Sequence, residues 1–237
     1  EEVVPLCVKA HQHQHQHQCQ HQHRPQNQKK RVRLFLIDSQ DGIRMPQKKT
    51  KYTVIQDTRE QEGWFFTPYD RCDGMEIGTL QTGDYTLKGY EEVVCVERKA
   101  SPSEIAQNLG KKKKTFYNEI ERMRDFPFRY IILEFSASDL IDYPLSLLDE
   151  KDREVWARHC RGESLPNYKR FQVVKNTKIS GKYLLKALLE IGIKYEVQIL
   201  FADNKKNAFT ICNSVFKRLA ELFDERSEYG QQETGDF

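Results

Sequence analysis

Two strand-like runs, Thr82–Leu87 and Val93–Lys99, flank the short polar loop Lys88-Gly89-Tyr90-Glu91-Glu92, and the second run leads directly into Ser101-Pro102-Ser103-Glu104. Strand formers on either side of a Gly-containing polar loop are a hairpin signature. Ser at the N-cap, Pro at the first helical position and Glu two residues later form a capping box, so a helix starts where the second strand stops. A hairpin centred between Tyr90 and Glu91 sets Asp84 opposite Glu97, with β-carbons roughly 5 Å apart. Side chains alternate along a strand, so Val93, Cys95, Glu97 and Lys99 share one face while Val94, Val96 and Arg98 share the other. Two carboxylates and a lysine therefore converge at a strand-to-helix junction.

Facing carboxylates repel, which raises one pKa unless a positive group lies between them. A divalent cation fits, because Mg²⁺ uses oxygen ligands and binds through one or two carboxylates, several waters and a substrate phosphate. Such an ion activates water and neutralises charge on phosphorus. Lys99, on the same face, would position that water or neutralise the phosphoryl oxygens. An exposed ion pair of Glu97 with Lys99 or Arg98 explains the triplet alone, but not Asp84, Asp57 and the capping box together.

The remaining pattern predicts strands at Tyr52–Gln56, Met75–Leu80, Tyr130–Phe135 and Val197–Phe201. It predicts helices following Ser101, at Thr115–Asp125, at Lys182–Ile191 with Gly192 as C-cap, and after Asn204. The last carries the apolar stripe Ala208, Cys212, Val215, Leu219 and Leu222. Strands alternating with helices argue for an α/β fold, a mixed central sheet flanked by helices in a single domain. That domain spans residues 45–225, with a polar, non-periodic insertion at about 147–178 and a disordered tail at 226–237.

These residues resemble the XPF-type structure-specific endonucleases of the restriction-endonuclease-like PD-(D/E)xK superfamily. The family pattern of Asp-x-Arg-Glu, then Gly-Asp, then Glu-Arg-Lys is matched by Asp57-Thr58-Arg59-Glu60, Gly83-Asp84-Tyr85 and Val96-Glu97-Arg98-Lys99. The resemblance runs from about Tyr52 to Leu222. It implies a metal-dependent DNA endonuclease that hydrolyses phosphodiesters in branched, flap or junction DNA, as in repair, recombination or replication. It further implies Mg²⁺ or Mn²⁺ as cofactor, Asp84, Glu97 and Asp57 as metal ligands, and Lys99 as catalytic lysine. Arg59, Glu60 and Arg98 would support the site. Where the family often has Asp four residues beyond the motif Lys, this chain has Ser103, with Glu104 adjacent. The resemblance points to a standalone module of the phage or bacterial kind, working as a homodimer. The other reading is a catalytically inactive module of the same fold that binds DNA structures.

Charge shows where DNA would be held. Of 38 Lys+Arg and 35 Asp+Glu, residues 1–44 carry seven and four, so they hold the whole net charge of +3. Affinity elsewhere must come from clustering. Arg158, Arg161, Lys169, Arg170, Lys175, Lys178, Lys182 and Lys186 face a single acid, Glu163, in their stretch, with Tyr168 and Phe171 interleaved. Basic groups among aromatics suit phosphates and an unstacked base. Lys111, Lys112, Lys113 and Lys114 form a second cluster. His159-Cys160 has no second pair at zinc-ligand spacing.

His11–His23 alternates His with Gln around Cys19, a low-complexity tract that reads as a disordered leader ahead of a native start at Met45. The six cysteines show no CxxC pairing, and no apolar run approaches the roughly 18 residues of a spanning helix. The expectation is a reduced, intracellular protein with DNA as partner, no membrane and no small-molecule cofactor.

Overall fold

The computed structural model describes residues 51–232, with side chains as far as Asp224. The expectations for the leader, for a start at Met45 and for Cys7 and Cys19 lie outside those residues.

Six strands, β1 (Tyr52–Asp57), β2 (Cys72–Gly78), β3 (Tyr85–Leu87), β4 (Val94–Lys99), β5 (Phe128–Leu133) and β6 (Gln198–Phe201), form one sheet in the order β2-β1-β3-β4-β5-β6. The β1–β3 and β3–β4 pairings are antiparallel, and the β1–β2, β4–β5 and β5–β6 pairings are parallel, which makes the mixed sheet expected from sequence. Tyr85 pairs with Val96, the register in which positions 84 and 97 face each other.

The helices are α1 (Pro102–Leu109), α2 (Lys113–Met123), α3 (Ala137–Ile141), α4 (Glu150–Cys160), α5 (Lys169–Asn176), α6 (Gly181–Tyr195) and α7 (Lys205–Gln232). One face of the sheet packs under α1, α2 and α6 through Cys95, Ile105, Phe116, Ile120, Ile131 and Leu188. The other packs under α7 through Val94, Val96, Ile132, Cys212 and Phe216. The alternation read along β4 therefore divides its side chains between two cores. All six β4 residues are buried, because the strand lies in the middle of the sheet and is covered on both faces.

Three expectations change. The stretch 147–178 is not irregular: it holds α4 and α5 around a small cluster of Leu148, Phe171 and Val174, with Trp156 and Leu165 against it. Gly192 is not a cap. Helix α6 runs through it to Tyr195 and ends at Glu196, whose φ of 55° is left-handed, while a Cβ on Gly192 would lie 3.4 Å from the Val197 carbonyl. Helix α7 continues to Gln232, past the expected domain limit at residue 225. Asn204 caps it as expected, its Oδ1 accepting from the Asn207 N–H at 2.9 Å. Among the described residues no helix is long and apolar enough to cross a membrane.

Candidate active site

Asp84 stands just ahead of β3, and the residue before it must be glycine. Gly83 has φ +79°, and a Cβ there would lie 2.6 Å from Cys95 Sγ and 3.0 Å from the Val96 carbonyl oxygen. Any side chain would push the turn off β4. The turn is held by the Asp84 N–H donating to the Val96 carbonyl at 2.8 Å and by the Arg98 N–H donating to Asp84 Oδ2 at 2.7 Å. Burial pushes the Asp84 carboxyl up to about 7; the Arg98 N–H and Lys99 oppose that push, and Glu60 and Glu119 add to it.

Glu97 is 3% exposed, and its Oε1 accepts from Lys99 Nζ. Its Oε2 is buried with no hydrogen-bond partner. Burial drives the Glu97 carboxyl well above its ordinary range; Lys99 opposes this, while Asp84 and Glu119 reinforce it. Lys99 Nζ also lies 3.3 Å from Glu104 Oε1 and 5.6 Å from the Phe116 ring centroid. Burial alone would lower the Lys99 pKa, but Glu97 and Glu104 outweigh it and the result is raised, so this lysine is a protonated donor and not a base. Glu104 Oε2 also accepts from the Ala100 N–H at 2.8 Å, and the Glu104 N–H donates to the side chain of Ser101, the N-cap of α1.

Asp57, expected from the sequence as a metal ligand, is bonded to Arg59 and to the Leu80 N–H. It is 1% exposed, and Oδ1 accepts from the Arg59 N–H at 2.8 Å and Arg59 Nε at 2.6 Å. Oδ2 accepts from the Leu80 N–H at 2.7 Å and Arg59 Nη2 at 3.2 Å. A carboxylate has about four lone-pair sites, and four donors occupy these. Burial would raise its pKa, but the Arg59 and Leu80 bonds leave it lowered, a carboxylate committed to Arg59. The Arg59 side chain is 69% exposed, so its head group is clamped and still open to solvent.

Arg98 lies on the opposite face from Glu97 and Lys99. Its Nε and Nη2 donate to the two oxygens of Glu134 at 2.7 and 2.8 Å, and Trp64 Nε1 donates to Glu134 Oε1 at 2.7 Å. Glu60 completes the cluster, 3.4 Å from Arg98 Nη1. The Arg98 guanidinium is thus engaged by Glu134 and Glu60 on the face of β4 away from Lys99. Glu134 and Trp64 were absent from the sequence reading. The signal available was an acid closing the apolar run Tyr130–Leu133, which when buried requires a cation beside it.

The basic clusters are brought together. A Cβ on Gly110, at the α1–α2 corner, would lie 3.0 Å from Ile179 Cδ1, so Lys111, Lys112, Lys113 and Lys114 flank the segment that carries Lys178 and Lys182. All six are exposed, as are Arg158, Arg161, Lys169, Arg170 and Lys175. Arg170 is also structural, bonded to Asp152 at 2.9 Å and stacked 4.7 Å from the Tyr168 ring. Arg158 lies 3.8 Å from Glu163.

The ERCC4 domain family model matches residues 56–214, more than half of the chain and a span that contains every residue of the site above. The chain belongs to the ERCC4 domain family. This is the XPF-type nuclease domain that its motifs resemble. Among solved structures, this ERCC4 domain is similar to XPF from Aeropyrum pernix at 17% identity and a TM-score of 0.43, covering 78% of this chain and 75% of that one. It is also similar to XPF from Aeropyrum pernix in complex with DNA at 16% identity and a TM-score of 0.41, covering 74% and 66%. Curated proteins give no match.

Among the described residues no three His, Cys, Asp or Glu side chains are grouped so as to hold a metal ion between them. Two carboxylates with water completing the shell is the arrangement Mg²⁺ favours. Asp84 and Glu97 are two carboxylates that fit such an ion, and Glu97 Oε2 is buried with no hydrogen-bond partner.

Proposed function

We propose that the chain is a metal-dependent DNA endonuclease hydrolysing phosphodiesters in branched, flap or junction DNA. The observation that carries this reading is the buried convergence of Asp84, Glu97 and Lys99, with Glu97 Oε2 left without a partner. Asp84 and Glu97 would hold Mg²⁺ or Mn²⁺, which when bound supplies a water of lowered pKa and charge neutralisation at phosphorus. Lys99, held protonated by Glu97 and Glu104, donates toward the phosphoryl oxygens or the attacking water. Arg59, fixed by Asp57 yet exposed, would take a phosphate oxygen. The joined lysine clusters at the α1–α2 corner and around residue 178 form a positive track for the backbone, and Tyr168, 54% exposed beside Arg170, offers a stacking face.

A homodimer would let two such sites address two strands. The free and buried Cys72, Cys95 and Cys212 suit a reducing, intracellular compartment.

The test is cleavage of labelled splayed-arm, flap, four-way-junction and plain duplex DNA with Mg²⁺, Mn²⁺ or EDTA, beside Asp84→Ala. The expected result is metal-dependent cutting of branched substrates that the substitution abolishes. Tight, metal-independent binding with no cutting under either ion would replace this reading with a structure-recognition module.

A further inference from the structure

Helix α2 faces the site with more than apolar cover. Phe116, Ile120 and Met123 bury its inner side. Phe116 carries the ring under Lys99 Nζ, and Arg122 Nε donates to Thr82 Oγ1 at 3.0 Å, two residues before Asp84. Helix α2 is therefore fastened at one point to the Lys99 end of the constellation and at another to the Asp84 end. Glu119 is three residues after Phe116 and three before Arg122, and residues three apart stack on one side of a helix. That spacing aims Glu119 between the two anchors, where it is half-buried.

An acid aimed at a pair of acids is unfavourable unless a cation shares the space. The buried, unpaired Glu97 Oε2 points to the same missing charge. No three acids among the described residues are grouped to share an ion directly, so the contact left to Glu119 is one through water. Mg²⁺ and Mn²⁺ retain several waters in such sites, and carboxylates that accept from those waters orient them.

We propose that Glu119 is a positioning residue of the metal centre, accepting hydrogen bonds from the water shell of a divalent cation held by Asp84 and Glu97. This rests on the metal-dependent reading above. Glu119 would fix which waters face the phosphate, and it would keep anionic DNA from settling in the cleft without the cation.

The experiment is direct Mn²⁺ binding to the full chain without DNA, following free Mn²⁺ by electron paramagnetic resonance. It compares wild type, Glu119→Gln, Glu119→Ala, Asp84→Asn and Glu121→Gln, with circular dichroism confirming that each is folded. Glu121 is exposed and paired to Arg124 on the same helix, which makes it the control. Asp84→Asn reports background uptake, including any by the tract His11–His23. Both Glu119 variants should weaken Mn²⁺ binding about tenfold, the scale of an outer-shell ligand partner, with Glu121→Gln unchanged. Glu119 variants that bind as wild type does, while Asp84→Asn loses the site, would overturn the role of Glu119 alone. A wild type no better than Asp84→Asn would refute the metal centre and this inference with it.

Discussion

The Arg98–Glu134 pair gives a stability prediction that the geometry sizes. Glu134→Ala removes both acceptors of the Arg98 fork and the acceptor of the Trp64 indole, leaving Arg98 only Glu60 at 3.4 Å. Arg98 is 8% exposed, so its guanidinium becomes a buried charge with one weak partner. Stranding such a charge costs about 3–5 kcal/mol, and an orphaned indole N–H adds about 1 kcal/mol. Glu60 offsets part of this, which puts the loss at about 4 kcal/mol. At about 2–4 °C per kcal/mol for a domain of this size, Tm falls by roughly 10 °C. Glu134→Gln keeps an acceptor for Trp64 or for one arm of Arg98 and should lose about 2 kcal/mol. Urea titration followed by circular dichroism measures both. The double variant Arg98→Met/Glu134→Leu should recover most of the loss, because replacing both members of a buried pair by apolar groups is often close to neutral. A loss below about 1 kcal/mol for Glu134→Ala, or a double variant as unstable as the sum of the singles, would refute the reasoning.

Two further outcomes follow from the site and the track. Asp84 has a folded pKa of about 7 against an ordinary 3.8, so its contribution to stability is full below about pH 4 and is lost as pH rises through 7. In EDTA, the stability of Asp84→Asn relative to wild type should therefore grow between pH 4 and 7 and then level off; urea melts showing a constant difference across that range would contradict it. Lys178→Ala/Lys182→Ala should weaken splayed-arm DNA binding uniformly across sequences and flatten the plot of log affinity against log salt by about 1.4–1.8, for two phosphate contacts. An unchanged salt slope would remove both lysines from the DNA path.

The part of the site that was legible in the sequence was the part built from adjacent segments. One hairpin loop fixed the register of Asp84 against Glu97, strand alternation put Lys99 on their face, and a capping box located the helix that brings Glu104 to Lys99. What escaped notice depends on contacts distant in sequence. Glu134 meets Arg98 across 36 positions and Trp64 across 70, and no local periodicity reports either pairing. The bonds to Asp57 are hidden for a related reason: its motif shows a carboxylate, but only the fold shows the Leu80 N–H and the Arg59 fork that donate to it. The helices of 147–178 were missed because few of their side chains are apolar, so the pattern that marks a helix against a core is faint. Gly192 has the residue type of a helix end, but α6 runs on through it to Tyr195 and the left-handed Glu196 ends the helix instead.

The small cluster beneath α4 and α5 sets how firmly the basic arm is held. Its buried apolar side chains are Leu148, Phe171 and Val174, far fewer than pack against either face of the sheet. The arm therefore depends on its junctions with the rest of the chain and opens at a smaller free energy than the central sheet. Amide exchange would be fastest there and slowest along β4 and β5. On the proposed reading, a grip that loosens before the chemistry does would follow DNA arms leaving a branch at different angles while Asp84, Glu97 and Lys99 stay fixed.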